Sequence, residues 1–169
     1  MFKIVGAVLV FVGCGGFGFK IAANYKKEEK TLRSLISMLD YMACELQYRL
    51  TPLPELCRQT AGQCCGCLRT VFANLAVELE DQIAPDVERC MSAVICKTKD
   101  IPIYTKEGLT LLGRSIGRYD VDLQLKSLET VRHECRQILE RLTVNQETRI
   151  RSYQTLGLCA GAAMAILFI

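Results

Sequence analysis

The sequence contains no tryptophan and only one histidine, His133, and these absences narrow the functions that the chain can serve. A single imidazole argues against a histidine-rich metal site and against a nucleophile activated by histidine. No Gly-Lys-Ser/Thr phosphate loop occurs either. The net charge is only +3, from 21 basic and 18 acidic residues, which argues against a nucleic-acid partner. We therefore expect a non-enzymatic protein with no cofactor and no resident metal.

Apolar residues are abundant, and they concentrate at the two ends of the chain. Half of the 169 residues are apolar, and the mean hydropathy is +0.20. Residues 4–19 carry no charge, and neither do residues 152–169. A lysine at position 20 can snorkel, so the first run reaches about 30 Å as a helix, and the second reaches about 27 Å. The sequence predicts transmembrane helices over residues 1–25 and 152–169, with a domain at residues 26–151 between them.

Small residues in both apolar runs favour close packing of membrane helices. Gly13 lies in the first run, and Gly157 and Gly161 form a GxxxG motif in the second. Simple tolerance of small residues in membrane helices explains the motif equally well.

Basic residues next to the apolar runs predict the orientation of the central domain. Only Lys3 lies on an outer flank, whereas the domain side carries Lys20, Lys26, Lys27, Lys30, Arg149 and Arg151. Positive charge is retained on the cytoplasmic side of a membrane. We expect a cytoplasmic domain with both termini across the membrane.

The ten cysteines indicate free thiols in a reducing compartment rather than a disulfide framework, since several occupy apolar positions of helical patterns. Cys64 and Cys67 form a CxxC pair and are weak metal-ligand candidates, because no second pair completes a zinc site. A cysteine-rich turn is the preferred interpretation. One alternative remains: Val12-Gly13-Cys14 resembles the end of a lipoprotein signal, which would make the chain a membrane-anchored, cysteine-rich lipoprotein or redox module.

The central residues repeat apolar side chains at intervals of three and four, which is typical of amphipathic helices. The first stripe consists of Leu32, Leu35, Ile36, Leu39, Met42 and Leu46. No strand-like alternation persists. We predict an all-α fold, an antiparallel helical bundle flanked by the two transmembrane helices.

Turn and capping residues divide this bundle into its helices. Thr51 is expected to cap a second helix with Pro52 in its first position, while Thr105 and Asp120 are expected to cap the last two helices. Residues 62–66 are expected to form a turn, residues 97–104 a loop, and Gly117 a helix stop.

Several segments, in order and spacing, resemble the stage III sporulation protein AB family of endospore-forming Firmicutes, and the resemblance covers nearly the whole chain. The matching segments are Phe19-Lys20-Ile21-Ala22, Leu32-Arg33-x-Leu35, Glu45-Leu46-Gln47-Tyr48-x-x-Thr51-Pro52-Leu53-Pro54, Leu112-Gly113-x-x-Ile116-Gly117-x-x-Asp120-x-x-x-Gln124 and Leu156-Gly157. Family members are similar to the inner-membrane platform proteins of type II secretion and type IV pilus machines. The cysteine content departs from the family pattern and leaves a local metal or redox role open at Cys64, Cys65 and Cys67.

The resemblance implies a non-enzymatic platform subunit in the mother-cell membrane around the forespore, within the secretion-like channel complex required for endospore formation. The implied partners are the secretion-type ATPase of the same operon, other membrane subunits of the complex and the lipid bilayer. The residues we expect to bind the partner are Glu45, Tyr48, Arg49, Thr51, Pro52 and Leu53. A plain helix junction is the alternative role for these residues, and a general secretion or pilus platform is the alternative function.

Overall fold

The computed structural model describes residues 2–49, 51–81, 86–116 and 121–168, with side chains described for residues 23–144 of these ranges, Val121 apart, and for Thr155. The described residues form helices and no strand, which confirms the all-α prediction. The helices are α1 (Phe2–Arg49), α2 (Leu53–Gln63), α3 (Cys67–Glu80), α4 (Val87–Lys97), α5 (Ile103–Ser115) and α6 (Val121–Phe168).

The chain divides into two compact units, one formed by residues 30–139 and the other by residues 1–29 with 140–169. Within the part of the chain that the structure describes, no helix is both long and apolar enough to cross a membrane. Gly13, Gly157 and Gly161 lie in α1 and α6, but the packing around them and nearly all side chains of the predicted spans lie outside what the structure describes.

The apolar stripe of α1 forms one wall of the core of the unit at residues 30–139. All six residues of that stripe are buried, as the helical spacing predicts. The other helices contribute Leu56, Leu68, Val71, Phe72, Leu75, Met91, Val94, Leu109, Leu112, Leu128 and Val131. Burial of one such side chain stabilises a fold by about 1.5–3 kcal/mol, so this core is the main source of stability.

Helices α1 and α6 run antiparallel inside this unit. The Nη1 atom of Arg132 donates a hydrogen bond to Oδ1 of Asp40 at 2.7 Å. A Cβ atom at Gly108 of α5 would lie 2.9 Å from Sγ of Cys135 and 3.0 Å from Cδ2 of Leu35. Asp40 also lies 3.9 Å from Nη2 of Arg136. The antiparallel direction follows from the compact unit that joins residues 1–29, at the start of α1, to residues 140–169, at the end of α6. Helix α5 approaches both helices at Gly108.

Helices α4 and α5 meet at a second glycine. A Cβ atom at Gly113 would lie 2.7 Å from Cβ of Met91, closer than two such atoms can approach. The Nε atom of Arg114 also donates to Oε1 of Glu88 at 2.9 Å. The absence of a side chain at Gly113 thus allows this close packing.

The predicted caps at Thr51 and Thr105 are wrong. Helices α2 and α5 instead have Pro52 and Pro102 in their N-cap positions, and neither helix has a side-chain cap. A proline has a fixed φ that suits a helix start. In α2 the second helical residue is Pro54, which has no N–H for a cap to bind. The expected cap at Asp120 and stop at Gly117 lie outside the described residues.

The predicted turn at residues 62–66 is shorter than expected. Helix α2 continues through Gln63, so Gly62 is helical and the connection to α3 consists of residues 64–66. Gly66 has φ of +65°, a backbone conformation that glycine adopts without steric cost.

The buried hydroxyl of Thr105 allows the free-energy cost of burying a polar group to be measured. Thr105 is fully buried in the first turn of α5, and its hydroxyl has no hydrogen-bond partner in the described part of the chain. Because valine has the same shape without the hydroxyl, we expect Thr105→Val to stabilise the unit by about 1 kcal/mol. Urea unfolding of the two proteins measures this difference, and a loss of stability would mean that the hydroxyl has a partner.

Candidate functional site

The residues between the end of α1 and the start of α2 form the main candidate surface. Tyr48 is 79% exposed, the Arg49 side chain is 70% exposed, and Pro52 is exposed as well. We call these three residues the junction surface. Two further predicted residues, Thr51 and Leu53, are half-buried beside it.

Glu45, which is also among the residues expected to bind the partner, is half-buried beside this surface rather than exposed. Its side chain is only 12% exposed, and its Oε2 atom is buried with no hydrogen-bond partner among the described residues. The guanidinium of Arg49 forms an ion pair with it, with Nη1 3.5 Å from Oε2. A change to lysine at position 45 would therefore disturb the fold as well as the surface.

Side chains from α1 and α2 link the helices beneath the junction surface. The Tyr41 hydroxyl donates to Oε1 of Gln59 at 3.4 Å, and Nε2 of Gln59 donates to Oε1 of Glu55 at 3.1 Å. Burial, together with the nearby Glu45 carboxylate, raises the pKa of Tyr41. The hydrogen bond between Tyr41 and Gln59 thus joins α1 to α2 near the junction surface.

An ion-pair cluster extends this link to α3. Nη1 of Arg58 lies 2.9 Å from Oε2 of Glu55, and the same guanidinium pairs with Glu80. The charge of the two carboxylates raises the pKa of Arg58. Sequence reasoning missed Tyr41, Gln59 and Arg58, although Tyr41 lies one helical turn before Glu45 and could have been found by that spacing.

The described cysteines divide into buried and exposed thiols. Burial raises the pKa of Cys57 to about 12 and that of Cys64 and Cys135 to about 11. Such thiols are poor nucleophiles because little thiolate is present at neutral pH. Cys44, Cys65 and Cys96 are exposed free thiols.

The CxxC pair occupies the connection between α2 and α3. Cys64 is buried and Cys67 is half-buried at the first position of α3. Among the residues that the structure describes, no group of three or more histidine, cysteine or acidic side chains is placed to hold a metal ion.

Two sequence comparisons with known proteins find the same family over nearly the whole chain. The family model of stage III sporulation protein AB matches residues 3–169. Stage III sporulation protein AB of Bacillus subtilis (strain 168) is 26% identical over 179 residues, covering 100% of both chains.

A solved structure of stage III sporulation protein AB (SpoIIIAB) shares the fold, with a TM-score of 0.62 and 20% identity. The match covers 72% of this chain and 98% of that chain. The chain therefore belongs to the stage III sporulation protein AB family, and its role is in the sporulating cell.

Proposed function

We propose that this chain is a non-enzymatic membrane platform subunit of the secretion-like channel complex between mother cell and forespore. Its helical domain docks the secretion-type ATPase of the same operon from the mother-cell cytoplasm. The observation that carries the proposal is the exposed junction surface in a chain that matches the sporulation family from residue 3 to residue 169.

The two apolar ends support membrane attachment. Residues 4–19 and 152–169 carry no charge and have lengths that suit a bilayer. Residues 1–29 and 140–169 also belong to one compact unit, which agrees with two neighbouring spans. The flanking basic residues favour a cytoplasmic position for residues 26–151.

The chemistry of the junction surface supports protein binding. Tyrosine and arginine are enriched among the residues that contribute most to protein–protein affinity. Here Tyr48 and Arg49 are adjacent in sequence and both are mostly exposed. A positively charged side chain beside an aromatic ring fits a partner surface with acidic residues around an apolar pocket.

We expect the variants Tyr48→Ala and Arg49→Glu to weaken ATPase binding severalfold, because both side chains are mostly exposed. Arg49 is also the ion-pair partner of the shielded Glu45 carboxylate, so circular dichroism of each variant is compared with that of the wild type to separate lost binding from lost folding. The measurement is retention of the purified ATPase by vesicles that contain the full chain. The matched control is Arg69→Glu, which makes the same charge change at an exposed position of α3.

The three variants separate a specific surface from a general charge effect. Equal losses with Arg49→Glu and Arg69→Glu would mean that net charge attracts the ATPase. Full retention by folded Tyr48→Ala and Arg49→Glu proteins would exclude the junction surface as the docking site.

A further inference from the structure

A second exposed patch lies at the start of α5, away from the junction surface in sequence. Ile103 is 72% exposed, and Tyr104 beside it is 38% exposed. Lys99 and Lys106 flank them and are both exposed. We call these four residues the α5 patch. An exposed isoleucine next to an aromatic ring, with a lysine on each side, is typical of a surface that inserts into the interface of an anionic membrane.

The direction of α5 follows from the contact at Gly108 and from chain length. Gly108 lies against Cys135 of α6. Val121, where α6 begins, precedes Cys135 by 14 residues, about 21 Å along a helix. Only four residues separate Ile116 from Val121, and such a link spans at most about 18 Å. Helix α5 must therefore run from Gly108 toward the start of α6.

The N-terminal end of α5 therefore points toward the first and last residues of the unit at 30–139. Ile103 precedes Gly108 by five residues, about 7.5 Å of helix, and Lys30 precedes Leu35 on α1 by the same distance. Because Gly108 also lies against Leu35, the α5 patch lies at the level of Lys30, the first residue of the unit. From there the sequence continues toward its first apolar run.

The charges at this end favour an anionic surface. Lys30 is exposed on α1, and Lys99 and Lys106 form no ion pair with the described residues. Lys97 differs, because its Nζ atom lies 2.5 Å from Oε1 of Glu78. Asp100 and Glu107, which adjoin these lysines in the sequence, are exposed as well.

We propose that the α5 patch contacts the anionic lipid surface of the membrane that holds the chain. Ile103 and Tyr104 enter the headgroup layer, while Lys99 and Lys106 bind lipid phosphates. This inference rests on the proposed membrane attachment of the two ends. It adds a third point of contact, which fixes the orientation of the helical unit relative to the bilayer.

The experiment uses the absence of tryptophan from the chain, so that Ile103→Trp introduces its only indole. The full-length variant is reconstituted into phosphatidylcholine vesicles with or without phosphatidylglycerol, and the indole is quenched with brominated lipid. The matched control is Tyr48→Trp, since position 48 lies about 27 Å farther along α1 than Lys30. Flotation of the vesicles reports membrane attachment separately.

We expect the emission of Ile103→Trp to shift to shorter wavelengths and to be quenched by brominated lipid when phosphatidylglycerol is present, whereas Tyr48→Trp remains unquenched. Adding Lys99→Gln or Lys106→Gln should weaken the contact about fivefold for each lysine removed. High salt should weaken it as well.

Three results would overturn the inference. If the protein floats with the vesicles but both indoles stay equally accessible to acrylamide, membrane attachment stands and the α5 contact does not. If the protein fails to float, both proposals are wrong. If the indole at position 103 becomes shielded only when the ATPase is added, and not by lipid, the patch binds protein instead.

Discussion

Gly113→Ala should destabilise the helical unit by about 1–3 kcal/mol, the cost of overpacking a closely packed interior. The added Cβ atom would lie 2.7 Å from Cβ of Met91 and 2.9 Å from its Cγ atom. Since Cβ of Met91 is fixed to the backbone of α4, a rotamer change cannot relieve the contact, and α4 and α5 must move apart. The measurement is the free energy of unfolding of the full chain in detergent micelles, from urea titrations followed by circular dichroism.

The matched control is Gly62→Ala, which makes the same change inside α2. A Cβ atom there has no neighbour within 4 Å. Alanine is favoured over glycine in helices by about 0.5–1 kcal/mol, so this variant should be stabilised. Opposite signs for the two variants would establish that the contact with Met91, and not helix propensity, determines the result. A stabilised Gly113→Ala protein would show that α4 and α5 are farther apart than described.

We expect the folded protein to lose stability at alkaline pH because the thiol of Cys57 is buried. Burial raises the pKa of this thiol from 9.0 to about 12 in the folded protein. Between these values the unfolded chain has released the proton while the folded chain still holds it. The unfolded state therefore binds fewer protons, and the free energy of unfolding falls as the pH rises, by about 1.4 kcal/mol for each pH unit. Below about pH 9 this thiol contributes no pH dependence.

Variants at two cysteines isolate this contribution from other titrating groups. Cys57→Ala should reduce the slope of the unfolding free energy against pH by about 1.4 kcal/mol per pH unit between pH 9 and pH 12. The slope that remains below about pH 11 comes from the buried thiols of Cys64 and Cys135, whose pKa is raised to about 11. Cys64→Ala should remove a contribution that ends near pH 11 rather than pH 12, because burial raises the pKa of that thiol to about 11. Equal slopes in the wild type and in Cys57→Ala would mean that the thiol is in contact with solvent.

The helical core was predictable from the sequence because burial repeats with the period of the helix. The stripe from Leu32 to Leu46 is buried throughout, and the predicted loop between α4 and α5 lies at residues 98–102. The family was equally accessible, since short motifs such as Tyr48 with Thr51-Pro52 are read directly from the residues.

Helix starts and individual exposures were not predictable in the same way. Threonine is a common N-cap, but at Thr51 and Thr105 the prolines before or after it determine where the helix begins. Glu45 was expected among the residues that bind the partner, yet its side chain is only 12% exposed. The tertiary packing that covers its Oε2 atom is not encoded by the local sequence.

Fractionation of sporulating cells tests most directly the proposal that this chain recruits a cytosolic ATPase to a membrane. Membranes from cells with and without the chain are collected, and the ATPase of the same operon is measured in the membrane and soluble fractions. We expect the ATPase to sediment with membranes only when the chain is present, and the chain itself to sediment with them. An ATPase bound equally to both membranes, or a chain found in the soluble fraction, would contradict it.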